Sequence, residues 1–401
     1  MDSSRSSDLP KIYIYHADHE HDRTYTENVV EYLGSQGVLW RSVTMRADGL
    51  RPELQLCLDD GATAVLGYNS QLDHSWLASG SFVAAAAQYG VPVIQWILDH
   101  PCERWHEFTN STAANSRFLL NSVQEEQYFQ NYCLSGALTG TMGGVGPNPR
   151  SHIGILTRDS FMRRPITCMI PLSLRRIRSI EENEEAIRAL ERPLAAIVYD
   201  AIARARNDLV APLQVHLTAA LAASDRNVPA PLFNRLFGLV EQAVQIFRRL
   251  KIFVTACRYP VSIQSDKSAA AFMRGSTASL ETDVGMQLTL ARMPMCRAIL
   301  GVSPINDMIH DRTMNALNGG CVAIAEANSA MCAVFTHKVD ALLFRYDDDS
   351  LEECFDIVCH QPARAYEIAQ AGMKLRDDPR LRFGQFHNLL DLARARAPVP
   401  D

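Results

Sequence analysis

AILGVSPINDMIHDRTMNALNGGCVAIAE, residues 298–326, is the stretch whose reading decides the fold. It opens with a short apolar run at 298–302. A polar segment follows at 303–311, carrying Ser303, Pro304, Asn306, Asp307 and His310. Residues 312–317 have helical spacing, Gly319 and Gly320 stop them, and a second apolar run at 321–325 ends in Glu326. The pattern is strand, loop, short helix, glycine stop, strand. Such a unit sets a helix N-terminus, with unpaired N–H groups and a positive dipole end, beside the carboxyl end of a strand. Phosphate is held at such places, and His310 and Arg312 add donors there.

The same alternation extends in both directions. Upstream, IFVTA (252–256) reads as a strand, and residues from 180 to about 250 read as helices punctuated by Pro193 and Pro212. Strands at 153–156 and 165–171 open this second domain, expected over 151–385. GALTGTMGGVGPNPR (136–150) is rich in Gly and Pro and reads as a boundary or hinge. Before it, KIYIY (11–15), 38–45, TAVLGY (63–68), VPVIQWIL (91–98) and RFLLN (117–121) read as strands. Helices are expected at 26–33, at 81–89 and from the end of the last strand to 130. The first domain is therefore expected over 11–150, preceded by a disordered lead-in at 1–10. A closing helix or tail is expected at 386–401. Strands alternating with helices predict an α/β chain of two Rossmann-like domains with a helical insertion in the second.

Composition excludes several classes. With 47% apolar and 21% charged residues and a formal charge of −6, the chain is an ordinary globular one with no long basic block for nucleic acid. No run reaches the roughly 18 apolar residues of a membrane span. The opening MDSSRSSDLP lacks a signal peptide's apolar core, so a cytoplasmic location is expected. The scattered cysteines form no CxxC pair and read as reduced core thiols.

The C-terminal quarter resembles a known family. SPINDMIHDRTMNALNGGCVAIAE followed by DALLFRYDDDSLEE (340–353) is similar to the closing domain of CgeB-like, spore-maturation-type glycosyltransferases. Ser303-Pro304, His310, Arg312, Ala316, Gly320, Glu326 and Leu342-Leu343 to Leu351 match in order and spacing. WILDHP (96–101) resembles a W-x-x-D-x-P turn of such enzymes. Two positions depart. Met308 or Ile309 replaces a glycine before the histidine, and Asn315 replaces the glutamate that holds the donor ribose.

The resemblance implies a GT-B architecture, two Rossmann-like domains facing across a cleft. It also implies transfer of a sugar from a nucleotide-diphosphate sugar, UDP- or GDP-linked, to an acceptor hydroxyl or other nucleophile, in bacterial glycan biosynthesis. The acceptor would be a glycan, a lipid-linked molecule or a protein, and no metal or other cofactor is implied. Donor contacts would come from Ser303, Asn306, Asp307, His310, Arg312, Asn315, Gly320 and Glu326. HADHEHD (16–22) follows the first strand, and Asp99 follows the most apolar one. His16, Asp18 and Asp99 are the candidates for deprotonating the acceptor, and the histidine-rich run also admits a metal reading. Arg163-Arg164 and Arg175-Arg176 read as solvated pairs or phosphate contacts. Alternatives are a GT-B-like binding module without catalysis, marked by Asn315, or a nucleotide-sugar epimerase or hydrolase.

Overall fold

The computed structural model describes residues 10–17, 20–44, 52–108, 115–143, 151–173, 179–209, 211–302, 307–378, 381 and 386–395. The chain divides into two compact units, Met1–Gly143 with Phe383–Asp401, and Gly144–Arg382.

Unit one runs β1 (Lys11–His16), α1 (Glu20–Ser35), β2 (Leu39–Thr44), α2 (Pro52–Asp59) and β3 (Ala64–Tyr68). A small antiparallel pair, β4 (Trp76–Leu77) and β5 (Gly80–Ser81), leads into α3 (Phe82–Gln88) and β6 (Val93–Trp96). Then come α4 (Pro101–Phe108), β7 (Ser116–Leu120), α5 (Val123–Tyr132) and β8 (Leu138–Thr141). The main sheet has the order β2-β1-β3-β6-β7-β8, parallel throughout. Every residue of β3, β6 and β7 is buried, as strands covered on both faces must be. The order of connection reverses between β1 and β3, the topological switch point where such sheets take ligands.

Unit two begins with α6 (Arg158–Met162) and β9 (Ile166–Pro171). The helical insertion follows: α7 (Ser179–Arg188), α8 (Arg192–Asn207), α9 (Leu213–Ala223) and α10 (Ala230–Ala256). Next are β10 (Ser262–Ser265), β11 (Ser279–Thr282), α11 (Met286–Arg292), β12 (Cys296–Leu300), α12 (Asp311–Asn318) and β13 (Val322–Glu326). The unit closes with α13 (Ser329–Val334), β14 (Leu342–Phe344), α14 (Ser350–His360) and α15 (Pro362–Met373). Its sheet, β11-β10-β9-β12-β13-β14, is again all parallel, with its switch point between β9 and β12. Side chains alternate across it. Ala298, Leu300, Val322 and Ile324 enter one apolar cluster, while Ile299, Ala323 and Ala325 enter another with Met314 and Leu317 of α12. Each buried Leu or Ile contributes roughly 1.5–3 kcal/mol. The chain then returns to unit one as α16 (His387–Arg394), packed on β6, β7 and β8.

The quoted stretch folds as its pattern predicts, and both sheets are parallel with intervening helices. Four local expectations are corrected. IFVTA is the last turn of α10, not a strand: Ile252, Phe253 and Ala256 are buried while Val254 is 61% exposed, a helical and not an alternating pattern. Residues 153–156 form no strand; Ile153 N–H donates to the Asn318 carbonyl at the end of α12 (3.1 Å), and Ile155 is exposed. Part of the expected hinge is β8, paired in register Arg117↔Leu138. Its Gly140 lies against α16, where a Cβ would make ordinary contact, 3.4 Å, with the Asn388 Cβ. Cys332, read as a core thiol, is exposed. Residues 1–9 of the lead-in expected at 1–10, residues 144–150 of the expected hinge, and Arg175-Arg176 lie outside the described residues.

Arg164 departs furthest from its reading as a surface cation. It is buried, with Nη1 donating to the carbonyls of Cys296 (2.6 Å) and Gly320 (2.8 Å) and Nη2 to that of Gly319 (3.0 Å). Its guanidinium lies over the Phe161 ring, 5.3 Å from the centroid. These carbonyls sit where β12 and β13 begin, the end of the sheet opposite the ligand edge. Gly320 has φ +59°, and a Cβ there would fall 2.5 Å from Ile153 Cδ1. Gly320 is thus favoured by its left-handed backbone conformation.

Candidate functional site

In unit two the site is built at the carboxyl ends of β9 and β12. Gly301 directly follows β12, and a Cβ there would make ordinary contact, 3.4 Å, with the Arg312 Cβ at the start of α12. His310 is the N-cap, and its Nδ1 accepts from the Arg312 N–H (3.1 Å). Asp311 Oδ1 accepts from the same N–H (2.8 Å) and lies against the same His310 nitrogen, with which it forms an ion pair in place of the N-cap bond when that nitrogen carries a proton. Burial alone would raise the Asp311 carboxyl, but His310 and Arg312 outweigh it and hold the group well below the usual carboxylate range. The helix start is therefore already capped by its own side chains. What remains is the Arg312 guanidinium, partly exposed and without a hydrogen bond or ion pair among the described residues.

The other residues expected to contact a donor are placed differently. Ser303 and Asn306 lie outside the described residues. Asp307 caps α13: Oδ1 accepts from the Ala330 N–H (2.7 Å) and Oδ2 from the Ser329 hydroxyl. Asn328 ties the same loop down, donating Nδ2–H to the Met308 carbonyl (3.0 Å). Asn315 is buried on the far side of α12, where its Oδ1 accepts from the Ser151 hydroxyl (2.9 Å). Gly320 sits at the opposite end of the sheet, as described above.

Glu326 does stand at the ligand edge, as the last residue of β13. It is buried, paired with Arg248 of α10, and accepts the Tyr346 hydroxyl. The Arg248 guanidinium also stacks over the Tyr346 ring, 5.1 Å from its centroid. This clasp fastens the helical insertion to the sheet, and no sequence signal marked Arg248. Losing one member of a buried pair strands the other charge, a cost of roughly 3–5 kcal/mol, whereas replacing both by apolar residues is often neutral. Glu326→Ala is therefore expected to lower unfolding stability by about that amount in urea. The Arg248→Met/Glu326→Leu double variant should recover most of the loss; a double variant as unstable as the single one contradicts the clasp.

Unit one presents its polar groups at the ends of β1, β3 and β6. His16 is 5% exposed, with Nδ1 bonded to the Ala17 carbonyl (2.9 Å) and Nε2 to the Ser42 hydroxyl (2.8 Å), so both ring nitrogens are engaged. Asp18 and His19 lie outside the described residues. Asp22 is buried and accepts from the Ala17 N–H (3.0 Å) and Gln71 Nε2–H (3.1 Å), fixing the turn out of β1. Asp99 remains accessible, its side chain 46% exposed. Its Oδ2 accepts from Arg104 Nε–H (3.2 Å) and Asn69 Nδ2–H (3.4 Å), and Oδ1 takes no hydrogen bond among the described residues. Asn69 adopts φ +50°, and its Oδ1 accepts from the Leu98 N–H (2.9 Å), lacing the end of β3 to that of β6. Beside Asp99, burial pushes the His100 imidazole down to about 3, so it stays neutral near pH 7. Sequence reasoning found Asp99 and passed over Arg104. Among the described residues no group of three or more His, Cys, Asp or Glu side chains is gathered to hold a metal, and no helix is long and apolar enough to cross a membrane.

No protein family's profile matches this sequence, and no curated protein is recognisably similar to it. Solved structures are similar in fold. Phage T4 BGT in complex with its UDP-glucose substrate superposes with a TM-score of 0.52 at 8% identity, over 96% of this chain and 99% of that one. Anabaena HepE in complex with UDP-glucose gives 0.51 at 9% identity, over 94% and 99%. HepE with UDP and glucose gives 0.50 at 10% identity, over 95% and 99%. The chain thus has the GT-B type of α/β fold, built from two Rossmann-like units with six-stranded parallel sheets.

Proposed function

We propose that the protein is a glycosyltransferase that takes its sugar from a nucleotide-diphosphate donor, UDP-linked before GDP-linked. The observation that carries this reading is Arg312: an uncommitted guanidinium at the start of a helix, at the carboxyl end of β12 and next to the switch point of the second sheet. A planar fork of donors matches two phosphate oxygens. The fold neighbours that hold UDP or UDP-glucose support the nucleotide, and the order His310, Arg312, Gly320, Glu326 supports the finer likeness to CgeB-like enzymes.

In this reading the acceptor oxygen attacks the anomeric carbon, and the bond from that carbon to the diphosphate breaks. Its electron pair leaves on the β-phosphate oxygen, where Arg312 offsets the growing charge. Acceptor activation is assigned to unit one, where Asp99 Oδ1 is free to take the hydroxyl proton and Arg104 and Asn69 orient the carboxylate. Asp18 is the alternative base. The acceptor is a glycan, a lipid-linked molecule or a protein, and a cytoplasmic location follows from the donor.

A second reading has its own support. Asn315 and Glu326, the positions that the resemblance gives to donor contacts, are both engaged inside unit two. A module that binds a nucleotide or glycan without turnover fits that observation. Release of free UDP or GDP from a panel of nucleotide sugars, with and without mixed acceptors, separates the two. The transferase reading expects acceptor-dependent release from at least one donor. Saturable nucleotide binding with no release from any donor selects the binding module.

A further inference from the structure

The carboxylate assigned to the acceptor stands beside a counter-charge. Asp99 Oδ2 accepts from Arg104 Nε–H (3.2 Å), and a guanidinium so placed keeps protons off a carboxylate. A general base loses by that, because its efficiency rises with its basicity.

A second carboxylate lies on the other side of the same guanidinium. Glu107 follows Arg104 by one turn of α4, and Arg104 Nη1 donates to its Oε1 and Oε2 (3.4 Å each). Glu107 is itself held in place. Its side chain is 17% exposed, and Oε2 accepts the hydroxyl of Ser70, a buried residue in the loop after β3. Among the described residues Arg104 has no third anionic partner. One positive charge is therefore divided between two carboxylates, and the trio is net negative.

The other groups near Asp99 do not offset Arg104 in this way. His100 is buried and neutral near pH 7, its ring centroid 4.7 Å from that of Tyr128 in α5. Asn69, from the loop after β3, is uncharged. Asp73 of the same loop accepts from Gln95 Nε2–H of β6 (2.6 Å). On α4, Glu103 is exposed, and His106 lies 3.9 Å from Glu107.

We propose that Glu107 is a positioning residue for proton transfer at Asp99: it draws off part of the Arg104 charge, so the guanidinium orients Asp99 without suppressing its basicity. The proposal rests on Asp99 as the base of the transferase reading, and its test separates the two.

The Asp99 carboxyl can be followed by NMR in the full chain labelled with 13Cγ-aspartate, its signal being the one missing from Asp99→Asn. Glu107→Gln keeps an acceptor for Ser70 and Arg104 but removes the charge. In it the midpoint of the Asp99 titration should fall by about half a pH unit. Ser70→Ala keeps the charge and loses only the hydroxyl, so it should leave the midpoint at the wild-type value. In acceptor-dependent nucleotide release, the acid limb of the pH profile should move by the same amount in Glu107→Gln, with KM for the acceptor unchanged. A midpoint that stays put in Glu107→Gln, or moves equally in Ser70→Ala, would overturn the proposal. A midpoint that moves while the acid limb does not would uphold the division of charge and remove Asp99 as the base.

Discussion

Arg312→Ala is expected to weaken UDP binding by roughly a hundredfold. A guanidinium that grips a diphosphate makes charge-assisted hydrogen bonds worth about 1.5–3 kcal/mol each, and about 1.4 kcal/mol corresponds to a factor of ten. Arg312→Lys keeps the charge but not the fork, so it should fall between the two. The folded state should lose only the attraction between this guanidinium and Asp311, because no hydrogen bond or ion pair among the described residues depends on it. Isothermal titration with UDP measures the loss, and circular dichroism gives the control. Asp311 sharpens the same argument. Its carboxylate shares the Arg312 N–H with His310 and sets a negative charge where phosphates would arrive. Its attraction to Arg312 and His310 is thus a pre-formed substitute that a diphosphate must outbid. UDP affinity unchanged in Arg312→Ala would remove the diphosphate from α12.

The second large effect is on stability. Arg164→Leu removes the donors from three buried carbonyls, those of Cys296, Gly319 and Gly320. Orphaned buried acceptors cost about 1–3 kcal/mol each, so unit two should lose at least about 3 kcal/mol. The protein carries its own control. All four tryptophans, at 40, 76, 96 and 105, belong to unit one, so their fluorescence reports that unit while circular dichroism reports both. In urea, the Arg164→Leu variant should move the helical transition down and leave tryptophan fluorescence close to the wild-type curve. Arg163→Leu, at an exposed site, should change neither by more than about 0.5 kcal/mol. Two variants with the same small effect would contradict the buried role.

What the sequence disclosed follows the strength of its periodic signals. VPVIQWIL reads as a central strand because both faces of β6 are covered, and every residue of that strand is buried. The stretch at 298–326 reads clearly because the period of the pattern changes twice within it. SIQS and SLET, which form β10 and β11, lack an apolar pattern, and only their parallel pairing beside β9 makes them strands. LTGT was hidden in a glycine-rich run, because its pairing with β7 and its packing on α16 are contacts with residues distant in sequence. IFVTA misled in the other direction: four β-branched and aromatic residues in a row look like a strand, yet packing along α10 decides.

The site was legible in its motif and not in its partners. Spacing located His310, Arg312, Glu326 and Asp99 near strand ends. It could not show that Asn315 faces Ser151, that Glu326 is claimed by Arg248 and Tyr346, or that Asp307 caps α13. Those contacts join residues separated by 20 to 164 positions, and such pairings are set by the tertiary fold. The order of residues therefore marks the carboxyl edge of the sheet, and the packing decides which side chains remain unengaged there.

The most direct measurement is a crystal structure of the protein with UDP bound. The account predicts the diphosphate at the carboxyl ends of β9 and β12, with the Arg312 guanidinium within hydrogen-bond distance of its oxygens. A diphosphate held away from α12, with Arg312 still uncommitted, would contradict it.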